Sequence, residues 1–154
     1  MTVREARDDD EDFIVALVPR FVENGVAGGH TRDEVIEGTA RVLRAALRAR
    51  LPQEVFFVAE ADDGERLGFA YVVTERDFFT DEEYAHVSEI ATTRSGEGAG
   101  GALMDAADRW SRSRGHRIMT LNVVDTNVDA QRFYERRGFS IAHRHYAKRL
   151  TPEG

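Results

Sequence analysis

Glu89-Ile90-Ala91-Thr92-Thr93-Arg94-Ser95-Gly96-Glu97-Gly98-Ala99-Gly100-Gly101-Ala102-Leu103 reads as a strand, a glycine turn and the start of a helix. On the helix side, Ala99, Leu103, Ala106 and Trp110 recur at spacings of four, three and four, which lines up one apolar face. Gly115 stops that helix, and Tyr84 to Thr92 supplies the strand. Between them lie four glycines in six positions, Gly96, Gly98, Gly100 and Gly101. Without Cβ atoms the backbone there can approach a ligand closely, and the free amides of a helix start favour an anion. A plain connector has no need of so many glycines.

Working outward, Ile118 to Val124 is a buried-type strand, and Asp129 to Arg137 a short helix closed by Gly138. Phe139 to Leu150 is expected to add one or two final strands. Upstream, Val55 to Ala61 and Leu67 to Val73 are strands joined through Asp62-Asp63-Gly64-Glu65, a hairpin signal. Thr31 and Glu34 form a capping box for a helix that carries Val35, Ile36, Val42, Leu43, Ala46 and Leu47. Before it, Val3 to Ala6 suits a short strand. Phe13, Ile14, Leu17, Val18, Phe21 and Val22 make a helical stripe that Pro19 kinks or divides. Hairpins first and a strand-helix-strand unit later give an α/β or α+β class with a mixed sheet.

The 154 residues fit one domain with one core, 1-154, and 42% hydrophobic with 32% charged residues is the balance of a globular chain. No apolar run reaches the roughly 20 residues of a membrane helix, and the start MTVREARDDD lacks signal-peptide character. A cytoplasmic location is the expectation, and a homodimer is left open. The absence of cysteine excludes disulfides and thiolate chemistry. His143 and His145 share a strand face, but no third ligand stands at fitting spacing, so no metal is expected. The net charge of −7 argues against a nucleic-acid partner and mildly favours a cationic one.

Two phosphate-binding readings fit the glycines. Gly96, Gly98 and Gly101 satisfy G-x-G-x-x-G, with Asp125 near the place of a ribose-binding acid. That reading needs a wholly apolar strand directly before the glycines, whereas this one carries His86, Ser88 and Glu89. It also needs further strand-helix units, for which little chain follows Val124. The second reading joins two motifs. Glu89 to Thr92 with Ser95 to Leu103 resembles the central motif of the GNAT superfamily of N-acetyltransferases. Asn127-Val128-Asp129-Ala130, then Phe133-Tyr134 and Gly138-Phe139, is similar to that family's second signature. The resemblance is strong over residues 84 to 146, and the first half shares only the outline of elements. Ser95 departs from it, since the family usually has arginine or glutamine there and Arg94 stands one residue away.

The resemblance implies a centrally splayed sheet flanked by helices, with the cofactor acetyl-CoA in a split between the strands Tyr84–Thr92 and Ile118–Val124. It places pyrophosphate on Arg94, Ser95, Gly96, Gly98, Ala99, Gly100 and Gly101, and pantetheine along Ile90, Ala91 and Thr92. Asn127 and Ala130 would orient the cofactor, Asn127 also serving as a helix cap. The implied reaction is acetyl transfer to a primary amine of a small molecule or peptide. Such an acceptor must lose a proton from an ammonium of pKa about 10.4, the thioester oxygen needs a fixed donor such as an amide near Ile90 or Ala91, and the leaving thiolate needs a proton. Tyr134 is the candidate acid, its packing alternative covered by Phe133. Glu89 is the candidate base, because a carboxylate inside such a strand needs a reason. The rival is a non-catalytic acyl-CoA-binding or regulatory module, with a dinucleotide-binding domain behind it.

Overall fold

The computed structural model describes residues 1–152, and its centre is one five-stranded sheet in the order β1-β2-β3-β4-β5. The strands are β1 Thr2–Glu5, β2 Val55–Glu60, β3 Arg66–Arg76, β4 Glu83–Thr92 and β5 Met119–Leu121. The first three pairings are antiparallel, and β4 with β5 is parallel. A parallel pair requires a crossover, here the helix α3 (Ala99–Ser113). With a single strand-helix-strand unit the fold is not doubly wound, so the dinucleotide reading fails on architecture.

Pro19 divides the N-terminal stripe as expected. The helix α1 (Glu11–Ala16) ends before it, and Val18–Val22 continues as a tighter 3-10 turn. The capping box of Thr31 and Glu34 is present at the start of α2 (Arg32–Ala49), where the Glu34 amide donates to Thr31 Oγ1 at 3.2 Å. One sheet face packs Phe56, Val58, Phe69, Tyr71 and Ala91 against Ile14, Leu17, Val18 and Leu43 from this N-terminal layer. The other face packs Val55, Val72, Ala85 and Val87 against Met104, Ala107 and Trp110 of α3. Tyr134, from α4 (Val128–Arg136), joins that second cluster.

Asp10 fastens the N-terminal layer to the sheet. It is fully buried and accepts from Arg4 at 2.7 and 3.0 Å, from Arg66 at 2.7 Å and from the Arg7 amide at 2.7 Å. Burial alone would raise its pKa, but these donors outweigh burial and hold the carboxyl well below the usual carboxylate range.

Two expectations are corrected. Residues 140–152 form no strand, and β5 is three residues long rather than seven. Along residues 139 to 150 both alternating faces carry cationic or imidazole groups, so neither can bury a continuous apolar row. The short β5 offers such a segment little edge to pair with.

Candidate active site

The β3–β4 ladder slips by one residue: Tyr71 lies opposite Glu89 and Val72 opposite Val87, leaving Ser88 as an unpaired bulge. Because side chains alternate, one extra residue exchanges the two faces of β4. Before the bulge Ala85 and Val87 point at α3; after it Glu89 shares the N-terminal face with its partner Tyr71. The bulge therefore sets a carboxylate among apolar neighbours.

The pairing with β5 covers only Ala85, His86 and Val87, so from Ser88 to Thr92 the second edge of β4 is open. The Thr93 amide donates to Leu67 O at 2.9 Å, which fixes the alternation of that edge. Ala91 and Glu89 turn their main-chain groups toward β3, and Ile90 and Thr92 turn theirs toward the opening. Of the two amides expected as candidate oxyanion donors, Ile90 therefore faces the gap and Ala91 does not. Arg20, from the 3-10 turn, donates to the carbonyls of Thr92 and Thr93, both at 2.5 Å, and so ties the N-terminal layer to the end of that edge.

The turn after Thr93 closes on Gly98 at φ +84°, a left-handed conformation that side chains other than glycine, asparagine and aspartate rarely adopt. Gly98 is the N-cap of α3 and brings no side chain to cap it. Among the described residues, the amides of Ala99, Gly100 and Gly101 have no acceptor, the first intrahelical bond being Ala102 to Gly98 O at 3.0 Å. Three free amides at the positive end of a 15-residue helix, with no acid in the first turn, suit an anionic diester such as a pyrophosphate. Ser95 and Gly96 are exposed on the same turn. Arg94 is engaged elsewhere, 3.3 Å from both Glu65 and Glu97.

The two candidate catalytic groups lie on β4 and α4. Burial raises the Glu89 carboxyl to about 7, with no cation to oppose it. Tyr134 is nearly buried, and its phenol is pushed up to about 12, first by burial and then by the charge of Glu89. That coupling puts the two groups within electrostatic reach, although they belong to opposite faces of the sheet. Asn127 caps α4, its side chain accepting from the Ala130 amide at 3.2 Å. Among the described residues no cluster of three potential ligands could hold a metal.

Sequence reading missed the neighbours of Glu89. Phe56 stacks on Tyr71 at 4.1 Å between ring centres, and the Tyr71 hydroxyl donates to Glu54 at 2.7 Å. Further along the same face Tyr84 donates to Glu75 at 2.9 Å, and His86 Nδ1 lies 2.7 Å from Thr120 Oγ1. These residues share the sheet face that carries Glu89. Only the position of the bulge assigns them to one face, and the sequence carries no mark of it.

An open mixed sheet, splayed where a parallel pair parts beside an uncapped glycine turn, defines a recognisable class of fold. Residues 24–139 match the Acetyltransferase (GNAT) family, and the chain belongs to that family. It is therefore an acyltransferase-family protein. No curated protein sequence matches it. Among solved structures, a Pyrococcus furiosus protein assigned as an acetyl transferase is similar at TM-score 0.76 and 24% identity, covering 97% of this chain and 99% of that one. The aminoglycoside N-acetyltransferase AAC(6')-Iy, bound to a bisubstrate analogue of CoA and acetylneamine, is similar at TM-score 0.71 and 19% identity, covering 98% of each chain. A Bacillus halodurans protein called a transcriptional regulator has TM-score 0.70 and 20% identity, covering 97% and 99%. At these identities the likeness is one of fold.

Proposed function

We propose that the chain transfers an acetyl group from acetyl-CoA to a primary amine of a small molecule or peptide, by direct attack. The observation that carries the reading is Glu89, a half-buried carboxyl at the start of the open edge of β4 whose pKa burial pushes up to about 7, with Tyr134 near enough for its charge to raise the phenol. The neighbour bound to a CoA–aminoglycoside analogue supports both substrate classes.

The free amides of Ala99, Gly100 and Gly101 would hold the pyrophosphate. The outward main-chain groups of Ile90 and Thr92 would pair with the pantetheine amides. Glu89 takes one proton from the ammonium, and the freed nitrogen attacks the thioester carbon. Negative charge on the carbonyl oxygen is met by the Ile90 amide. As the carbon–sulfur bond breaks, the thiolate takes the Tyr134 proton, and the second proton shed by the nitrogen restores the phenol. Donation from a phenol near 12 to a thiol near 8.5 is uphill by roughly 5 kcal/mol. The coupling eases it: once Glu89 has accepted its proton, the charge that helps to raise Tyr134 is gone.

The test is thiol release from acetyl-CoA over a panel of amines, with mass spectrometry of the products. Amine-dependent release with an acetylated product is expected. Tight CoA binding with no turnover on any amine would favour a regulatory acyl-CoA module instead.

A further inference from the structure

Among the 21 basic residues Lys148 is the one lysine. The other primary amine of the chain, at the N-terminus, is bound to Asp62 at 2.9 Å. Lys148 is exposed, and among the described residues its ammonium has no carboxylate partner. It stands on residues 140–152, which form no helix or strand and, among the described residues, make no hydrogen bond by main chain or side chain. A segment held so weakly is displaced at little cost in free energy.

The segment is rooted at the candidate site. Phe139 packs edge to face on Tyr134, 5.8 Å between ring centres. From there the nine residues Ser140 to Lys148 can span up to about 30 Å when extended. Their course crosses from the Tyr134 side of the sheet to the other side. Ala147 Cβ lies 3.1 Å from where a Cβ on Gly28 would stand, in the loop before α2. The layer to which that loop belongs packs on the sheet face that carries Glu89. The same loop meets the chain that leaves β5, since Thr126 Oγ1 donates to Asn24 O and Gly25 lies against Val124. The face itself calls for a cation. Glu54 and Glu75 accept from Tyr71 and Tyr84, nothing basic stands against Glu89, and among the described residues none of the three is ion-paired. An ammonium is the group that complements them.

We infer that the chain acetylates its own Lys148 in cis; the inference rests on the proposed acetyl transfer from acetyl-CoA. The Lys148 ammonium gives one proton to Glu89, and its Nζ attacks the thioester carbon. The new carbon–nitrogen bond forms as the carbon–sulfur bond breaks, the thiolate takes the Tyr134 proton, and the second proton from Nζ restores the phenol. The products are an uncharged amide on Lys148, free CoA thiol and one proton, which Glu89 returns to water. A tether this short holds the amine at an effective concentration of about millimolar, so Lys148 competes with free amines for the acetyl group.

The experiment is intact-mass spectrometry of the whole chain incubated with acetyl-CoA and no other amine, followed by peptide mapping. Wild type should gain one acetyl group, on Lys148, with a rate constant that does not change with protein concentration. The folded chain should react about 10²–10⁴-fold faster than the same chain unfolded in urea, because unassisted acetylation needs no fold. Lys148→Arg keeps the charge but offers no primary amine, so it should stay unmodified while thiol release with free amines persists. A wild type that acetylates free amines and leaves Lys148 bare would overturn the inference and leave the proposed function standing. An acetyl group on Met1 alone, a rate constant that rises with protein concentration, or equal rates folded and unfolded would overturn it as well. A chain that transfers acetyl neither to Lys148 nor to any free amine would overturn both readings.

Discussion

At the scale of single residues, the account rests on Glu89 and Tyr134 holding different jobs. Tyr134→Phe removes one hydroxyl from a packed ring, so CoA affinity should hold while turnover falls by about 10²–10⁴-fold. Glu89→Gln keeps the shape but cannot accept a proton, so its defect should shrink as pH rises and free amine accumulates; the phenylalanine variant should show no such rescue. Rate against pH for both variants checks this, and parallel profiles for wild type and Glu89→Gln would remove Glu89 as the base. Stability gives an independent reading. The folded pKa of Glu89 is raised from 4.5 to about 7, so the native state binds the extra proton and stability falls as pH rises through that window. Above pH 7 the full penalty applies, and Glu89→Gln should be the more stable protein by up to about 3 kcal/mol, with no gain below pH 4.5. Urea unfolding at both pH values measures it. Both residues were legible in sequence, Glu89 as an acid in a strand and Tyr134 through the family signature. Glu54, Tyr71, Glu75 and Tyr84 were not, since each reads alone as a common surface or strand residue.

At the scale of elements, the decisive feature is β4, bulged at Ser88 and open on one edge beyond Val87. Its partner strand fixes the far end. A Cβ on Gly68 would stand 2.6 Å from the Ala91 carbonyl and 3.0 Å from Thr92 Cα, both backbone atoms that cannot step aside. Gly68→Ala should push β3 from β4 at the far end of the open edge, costing about 1–3 kcal/mol and weakening CoA binding with it. Thermal unfolding and a CoA titration of the variant check both effects; unchanged values would show that the edge tolerates displacement. The helix α3 and the glycine turn were readable because apolar spacing and missing side chains are properties of sequence. The bulge was not, because it is a choice of register between two strands and Ser88 carries no mark of it. The segment 140–152 misled because neither of its alternating faces is wholly apolar and the three-residue β5 offers little edge to receive a strand.

At the scale of the whole molecule, the N-terminal layer and the sheet must keep their relation if Glu89 is to stay half-buried. Asp10 holds that relation through Arg4, Arg66 and the Arg7 amide, and Arg20 does so at the end of β4. Asp10→Ala leaves two arginines facing a buried void and should cost about 3–5 kcal/mol, measured by denaturant unfolding. A loss below about 1 kcal/mol would mean that the arginines reach solvent instead. The mixed sheet with flanking helices was legible from hairpin and crossover signals. The network around Asp10 was not, since the sequence shows only an acidic run beside scattered arginines.

The central claim is that the bare helix start at Ala99–Gly101 holds the pyrophosphate of CoA. Calorimetric titration of wild type and Gly100→Asp with CoA and with NAD tests it most directly. Gly100 can take a Cβ at ordinary contact, 3.6 Å from Phe133, so the variant should fold. Wild type should bind CoA and not NAD, and the added carboxylate should abolish CoA binding. A folded Gly100→Asp variant with unchanged CoA affinity would contradict the account.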